Sequence, residues 1–220
     1  MAVAREPDKI LHSRLRWGDD ELLIRVIEER FVSSHAGSVR PEEIWKQFFC
    51  NDVKGISPKE YFLSRILPRP RDLVFFVKAA MATAVNRDHT IVTEQDILES
   101  EKQYSQFAFD SILVETSAST ERMEDILYEF VGSTSVLAQE DLEFRMSKIG
   151  ALDVRGVIEL LCSISFLGLE TRKDRFRFVE ELQEYRKAFT LAQQFARHRG
   201  HNLRYRIHPA FSAFLELRDN

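Results

Sequence analysis

Two groups of arginines carry the clearest chemistry in this sequence. In the first group, Arg69 and Arg71 flank Pro70 immediately before an apolar stretch. A guanidinium is always charged and donates pairs of hydrogen bonds to phosphate or carboxylate oxygens. Arg71 could therefore bind an anionic ligand, pair with an acidic side chain of the same chain, or lie exposed at the start of a helix.

The second group lies in the last 50 residues. From residue 171 to residue 220 there are 11 lysines and arginines against 6 aspartates and glutamates, an excess of +5. Arginines that alternate along a strand would follow a phosphate backbone, with salt-dependent affinity and little reading of base sequence. A solvated charged surface is the other interpretation of such a cluster. The candidate nucleic-acid-binding residues are Arg172, Lys173, Arg175, Arg177, Arg197, Arg199, Arg204 and Arg206.

Other residue types that perform chemistry form no such pattern. Among the six histidines only His198 and His201 are close together, and neither cysteines nor carboxylates accompany them at a metal-ligand spacing. Cys50 and Cys162 each lie in an apolar helical pattern, which predicts buried, reduced thiols. We therefore predict neither a metal site nor a catalytic residue.

Helices must position the first arginine pair. Ser57 and Glu60 form a capping box that starts one helix, and Pro68 with Pro70 must end it because proline restricts the residue before it. The apolar spacing that follows predicts the next helix from Arg71 to about residue 86. With the helices predicted on either side, residues 19–115 form a five-helix, lid-like bundle, and residues 1–18 form a linker or lead-in segment.

The second half, residues 116–220, has a different predicted order of elements. Three helices come first and are followed by two short strands, the second of which alternates phenylalanines with arginines. Three helices followed by a β-hairpin is the order of a winged helix. The fold class is thus mainly α, with a helical bundle followed by a winged-helix-like domain that has a small antiparallel sheet. The predicted elements are helices at about 121–131, 139–149, 153–165 and 181–198, strands at 166–170, 175–178 and 203–207, and a last helical turn at 210–217.

Composition excludes several classes of protein. Hydrophobic residues make up 44% and charged residues 30% of the 220 positions, which is typical of a soluble globular chain. No apolar run approaches the roughly 20 residues that cross a bilayer. Residues 1–9 lack the basic start and apolar middle of a signal peptide. We expect a cytoplasmic protein without a membrane partner.

Several stretches of the sequence resemble one known group of proteins. Residues 67–80 (LPRPRDLVFFVKAA), with residues 91–98, 101–107, 128–132 (YEFVG) and 205–211 (YRIHPAF), are similar to the C-terminal part of bacterial STAND/AAA+-like P-loop ATPases. In that group a nucleotide-binding domain precedes a helical lid and a winged helix. The resemblance covers about residues 19–217.

The resemblance implies a role for the first arginine pair. Arg71 matches the sensor-2 arginine, which reaches the γ-phosphate of ATP from the lid, and Arg69 is a competing candidate. The sequence lacks the Gly-x-x-x-x-Gly-Lys-[Ser/Thr] phosphate loop and an apolar strand ending in acids that could hold Mg²⁺. The chain should therefore not be an enzyme by itself. ATP and Mg²⁺ are implied only for a P-loop domain that lies elsewhere.

Two functions follow as hypotheses. The leading one is a regulatory lid and winged helix that senses the nucleotide of a P-loop domain, in the same longer chain or in trans, and relays its state to a protein partner. The alternative is a nucleic-acid-binding module that uses the second arginine group. The helix around 153–165 is expected to be poorly suited to reading bases, because it offers Asp153, Arg155 and Glu159 and has acidic neighbours.

Overall fold

The computed structural model describes residues 17–35, 39–115, 120–150, 153–179 and 182–219. The chain is mainly helical and carries a small four-stranded antiparallel sheet, which confirms the predicted fold class. The first half holds five helices: α1 (Asp20–Ser34), α2 (Glu43–Phe48), α3 (Pro58–Arg65), α4 (Pro70–Asn86) and α5 (Glu94–Glu115).

Local capping residues explain where these helices begin. The Ser57 hydroxyl accepts a hydrogen bond from the amide of Glu60, whose carboxylate accepts one from the amide of Ser57, and together these form the predicted capping box. Pro70 occupies the first position of α4, where the missing amide hydrogen costs nothing. The helix starts that the first half needs are therefore encoded locally.

Aromatic rings fill the space between α3, α4 and α5. Phe62 meets Phe76 edge to face with ring centroids 4.7 Å apart, and Phe76 stacks on Tyr104 at 5.0 Å. All three side chains are fully buried. Such geometries are the ones that aromatic pairs prefer, and each pair adds to the gain from burying the rings. The core of the first half is centred on the pairing of α4 with α5.

The second half begins with a helix and a strand. The strand β1 was not predicted, because the first strand expected from the sequence began at residue 166. The first helix of this half ends at Tyr128 and is therefore shorter than the predicted helix at about 121–131. The elements are α6 (Thr120–Tyr128), β1 (Val136–Ala138), α7 (Gln139–Lys148), α8 (Val154–Ser163), β2 (Leu167–Arg172), β3 (Arg175–Arg177), α9 (Leu182–Arg199), β4 (Arg204–Ile207) and a 3₁₀ helix (Pro209–Phe211).

The sheet has the order β1-β4-β2-β3, and every pair of neighbouring strands is antiparallel. The chain order from α6 to β3 is that of a winged helix. β4, however, lies between β1 and β2, so the chain makes β3 and α9 before it returns to the centre of the sheet. The β2–β3 hairpin, which corresponds to the wing, is thus followed by α9 before the chain returns to the sheet as β4.

The two halves share one hydrophobic core. The segment after β4 returns to the helical half, where the amide of Phe214 donates to the Ser105 hydroxyl at 2.9 Å. The rings of Phe109 and Phe214 are 4.8 Å apart. The predicted last helical turn is a short 3₁₀ helix followed by turns. The predicted domain boundaries at 19–115 and 116–220 stay a prediction.

In the described part of the chain, no helix combines the length and the apolar composition needed to cross a bilayer.

Gly168 of β2 tests how closely the sheet packs against the ring of Phe178. A Cβ at Gly168 would lie 2.7 Å from Cε1 of Phe178, closer than atoms can approach. We expect Gly168→Ala to lower the free energy of unfolding by about 1–3 kcal/mol, because the Phe178 ring must move. Thermal unfolding followed by circular dichroism measures the effect. Gly18→Ala, which would meet no atom within 4 Å, is the control and should leave the midpoint unchanged.

Candidate functional site

The corner between α3 and α4 holds the first arginine pair. Arg69 is the N-cap residue of α4, and Pro70 begins the helix. The amide of Leu67 donates to the hydroxyl oxygen of Tyr104 at 2.9 Å, and Leu67 is fully buried. A side chain of α5 therefore fixes the backbone that aims Arg69 and Arg71.

Asp72 lies beneath this corner. Its side chain is fully buried, and its Oδ1 accepts a hydrogen bond from the Tyr104 hydroxyl at 3.0 Å. Its Oδ2 has no hydrogen-bond partner within the described structure, and the nearest guanidinium nitrogen, Nε of Arg71, is 3.8 Å away. Burial raises the pKa of Asp72, and the hydrogen bond from Tyr104 and the charges of Arg69 and Arg71 oppose that rise.

Both arginines of the corner bind one carboxylate. Nη1 of Arg69 lies 2.9 and 2.8 Å from the two oxygens of Glu115, and Nη2 of Arg71 lies 3.0 Å from Oε1 of the same residue. Glu115 is the last residue of α5. Of the three uses that the sequence left open for Arg71, the structure therefore shows pairing with an acid. We call Arg69, Arg71 and Glu115 the arginine–glutamate cluster.

The cluster is held on its inner side by an aromatic ring. The guanidinium of Arg71 lies 5.4 Å from the ring centroid of Phe107, which stacks on Phe75 at 4.1 Å. Guanidinium groups pack favourably on aromatic faces. Because the Arg71 side chain is still 53% exposed and that of Glu115 is 41% exposed, solvent reaches the ion pair. An anion from solution therefore has access to it.

This cluster can bind an anion in exchange for Glu115. Partly exposed ion pairs contribute only about 1 kcal/mol or less, so a competing ligand can displace the carboxylate at small cost. A phosphate offers oxygens that two guanidiniums can bind in the same forked manner. Sequence reasoning missed Glu115 because it lies 44 residues from Arg71, and no local spacing joins them.

The cluster also influences the second half of the chain. His208 is buried beyond β4, and its Nδ1 accepts a hydrogen bond from the amide of Ala210 at 3.1 Å. Burial, followed by the charges of Arg206 and Arg69, lowers the pKa of His208 to about 3. The ring is thus neutral near pH 7. Arg69 is close enough to act electrostatically on a residue of the winged-helix-like half.

The second arginine group is spread over the end of α9, which carries Arg197 and Arg199, and both faces of the sheet. Arg177 pairs with Leu169 across the strands, and Leu169 pairs with Tyr205, so these three residues share one face. Arg204 and Arg206 lie on the opposite face, where both guanidiniums approach the Phe176 ring at 6.0 and 5.9 Å. The eight predicted residues therefore do not form one continuous surface.

The members of this group also differ in their partners. Nη1 of Arg204 lies 3.0 Å from Oε1 of Glu170, which is buried, and 3.5 Å from Oδ1 of Asp174. Nε of Arg206 is buried and has no hydrogen-bond partner in the described structure. The remaining six are exposed and make no ion pair with a described residue: Arg172, Lys173, Arg175, Arg177, Arg197 and Arg199. These six are the cations that a ligand could reach.

The histidine and cysteine side chains form no part of the arginine–glutamate cluster. Within the described ranges, no group of three or more His, Cys, Asp or Glu side chains is arranged to hold a metal ion. Cys162 is buried and its pKa is raised by that burial, as expected for an inert thiol. Cys50 is only partly buried, so its predicted burial is wrong in degree. Neither thiol adds chemistry to the arginine–glutamate cluster.

Comparison with known families gives one match. Residues 21–113 are similar to the family model of the FunZ-associated C-terminal helical domain. The match covers α1 to α5 up to residue 113 and thus contains Arg69 and Arg71. No curated protein and no solved structure matches the chain. The similarity supports a C-terminal helical domain and does not extend to STAND or AAA+ ATPases.

The buried carboxylate of this corner gives a pH test. Since the pKa of Asp72 is raised in the folded state, burial of its charge costs stability above its unfolded pKa of about 3.9. Asp72→Asn keeps an acceptor for the Tyr104 hydroxyl without the charge. We expect the unfolding free energy of the wild type, relative to Asp72→Asn, to fall as the pH rises from about 4 to 7.

Urea unfolding at several pH values measures this difference. Asp110→Asn on the exposed side of α5 is the control, and its difference from the wild type should vary less with pH. A wild-type advantage over Asp72→Asn that grows as the pH rises would show that the arginines outweigh burial.

Proposed function

We propose that this chain is the regulatory lid and winged-helix-like portion of a nucleotide switch. The helical half would close over a nucleotide held by a P-loop domain, in the same longer chain or in trans, and Arg71 would contact a phosphate. The observation that carries the proposal is the arginine–glutamate cluster, in which two partly exposed guanidiniums already bind a carboxylate at the start of α4. The chain would perform no catalysis by itself.

The position of the cluster favours an anionic ligand. The dipole of α4 adds positive potential at its first turn. Two guanidiniums add two full charges, which the carboxylates of Glu115 and Asp72 offset in part. A triphosphate carries more charge than a carboxylate and can therefore replace Glu115. Any ATP and Mg²⁺ would belong to the P-loop domain, with the lid supplying only some contacts.

The shared core supports a relay to the second half. The segment after His208 binds α5 through Ser105 and Phe109. A ligand that draws Arg69 and Arg71 away from Glu115, the last residue of α5, would act on the helix that this segment contacts. The similarity of residues 21–113 to a C-terminal helical domain is compatible with a module that works beside another domain.

The first experiment identifies the complete protein. An antibody to this chain would detect the native gene product in source cells. A P-loop domain needs on the order of 150–200 further residues, so a fused product would migrate well above 25.7 kDa. A band at 25.7 kDa would require the P-loop domain to act in trans, and the next experiment would then use the purified complex.

Two substitutions in that complete protein or complex test the role of Arg71. Arg71→Ala should weaken ATP binding roughly tenfold or more, because a charge-assisted hydrogen bond contributes about 1.5–3 kcal/mol. Glu115→Gln should strengthen ATP binding, because it removes the competing carboxylate charge. Titration with a fluorescent ATP analogue measures both. Arg30→Ala, an exposed arginine of α1, is the control; unchanged affinity and ATP turnover in Arg71→Ala would contradict the proposal.

Nucleic-acid binding is the second candidate function. The exposed cations of the β2–β3 hairpin make no ion pair with a described residue, which favours contact with phosphates. Reading of bases is disfavoured, because no residue from Gly156 to Ser163 in α8 is exposed. α8 occupies the place of the recognition helix, and its polar face would have to be free to enter a major groove.

Substitutions on the two faces of the sheet separate the contributions. We expect Arg175→Ala with Arg177→Ala to weaken binding to a 20-base-pair duplex and to reduce its salt slope by about 0.9 per lost contact. Arg204→Ala with Arg206→Ala should have a smaller effect, since those guanidiniums already contact Glu170 and Phe176. Fluorescence anisotropy at several salt concentrations measures both. Absence of duplex binding by the wild type at low salt would exclude this candidate.

A further inference from the structure

A groove of about 800 Å³ lies between α6 and α8, and Ile149 and Gly150 of the turn after α7 also line it. Its floor is apolar, since Ile126, Val157 and Leu160 line it and each is only partly buried. Neither the nucleotide proposal nor the nucleic-acid candidate uses this groove. An apolar floor of this kind can take the methylene stems of long side chains.

The rim of the groove is acidic. Asp125, Glu129 and Asp153 line it together with one cation, Arg122. The carboxylate of Glu129 lies 3.7 Å from Nζ of the exposed Lys148, while Arg145 donates to the backbone carbonyl of Glu129 at 2.6 Å. Asp125 makes no ion pair with a described residue. The carboxylate of Asp153 accepts from the amide of Gly156 and thus serves mainly as a helix cap. Two carboxylates, of Asp125 and Glu129, therefore remain for an incoming cation.

An aromatic ring completes the groove. Tyr128 lines it and is 46% exposed, while its ring packs on Phe109 with centroids 5.3 Å apart. A carboxylate pair, an aromatic ring and an apolar floor are together what an arginine side chain needs. The guanidinium binds the carboxylates and packs on the ring, and its stem covers the floor. A lysine side chain could cover the same apolar floor and pair with the same carboxylates, but its ammonium lacks the forked hydrogen-bond geometry of a guanidinium.

The β2–β3 hairpin of the same chain presents exposed basic side chains of the kind that this groove could bind. Arg172, Lys173, Arg175 and Arg177 surround the β2–β3 turn and are exposed. The turn is ordered, because the amide of Asp174 donates to Oε1 of Glu170 at 2.8 Å. The basic side chains are therefore presented on a fixed support, which lowers the entropy lost on binding.

We propose that the α6–α8 groove binds the β2–β3 hairpin of a second copy of this chain. Within one chain the hairpin does not line the groove, so the two surfaces of opposite charge meet only between copies. The contact would be heterologous, because different surfaces of the two copies touch, and it would allow chains to add head to tail. This inference is independent of the proposed nucleotide function.

Charge reversal tests the proposal by complementation. One variant combines Arg175→Glu with Arg177→Glu, and the other combines Asp125→Lys with Glu129→Lys. Sedimentation velocity of the full chain at low salt should show self-association of the wild type that weakens as salt is added. Each variant alone should associate at least tenfold more weakly. An equal mixture of the two variants should associate again, since each supplies the surface that the other lacks.

Several results would overturn the proposal. They are a monomeric wild type at low salt up to the highest soluble concentration, association that both variants retain, or a mixture that stays monomeric. The exposed pair Arg25→Glu with Arg30→Glu on α1 is the control and should associate like the wild type. If a reversal variant fails to fold by circular dichroism, the milder Arg175→Gln with Arg177→Gln, or Asp125→Asn with Glu129→Gln, replaces it.

Other occupants give distinct outcomes. If the hairpin variant loses affinity for a 20-base-pair duplex while the wild type sediments as a monomer, the hairpin serves nucleic acid and the proposal fails. If a labelled arginine-rich peptide binds the groove of a monomeric wild type and binding is lost with Asp125→Lys and Glu129→Lys, the groove takes a different protein. That result also overturns the pairing of copies.

Discussion

The hydroxyl of Tyr104 is the point on which the described fold most depends. It accepts a hydrogen bond from the amide of Leu67 and donates one to Asp72, and all three groups are buried. The corner between α3 and α4 leaves polar groups that water cannot reach, so one side chain of α5 must satisfy them. The direction of α4, and with it the direction of Arg69 and Arg71, follows from that contact.

Local sequence patterns predict much of this architecture, whereas the remainder depends on contacts between residues that are distant in the sequence. Ser57 and Glu60 are three residues apart, so their capping box was predictable, as was the break at Pro68 and Pro70. Glu115 was not predictable as the partner of Arg71, because only the packing of α5 on α4 brings them together. The division of the second arginine group depends on strand register, which the alternation of Phe176 and Arg177 alone does not determine.

Charge in this molecule falls into two kinds that serve different ends. Glu170 is buried and binds Arg204 at 3.0 Å, which fixes the orientation of that arginine. Asp72 is also buried, but it accepts its hydrogen bond from the Tyr104 hydroxyl. The exposed cations of the β2–β3 hairpin and the carboxylates of Asp125 and Glu129 have few partners within the chain. These charged groups are therefore available to an external partner. The candidate functions therefore lie at the exposed charges and at the arginine–glutamate cluster, whose ion pairs are partly exposed.

The contact between Ser105 and Phe214 has a consequence for how the chain is made. These residues are 109 positions apart, yet the amide of one binds the hydroxyl of the other and the ring of Phe214 covers Phe109. On a ribosome that emits about 5–20 residues per second, α5 emerges several seconds before the segment that covers it. One apolar side of the helical half then stays open during synthesis, and the protein reaches its final form only after the last strand has been translated.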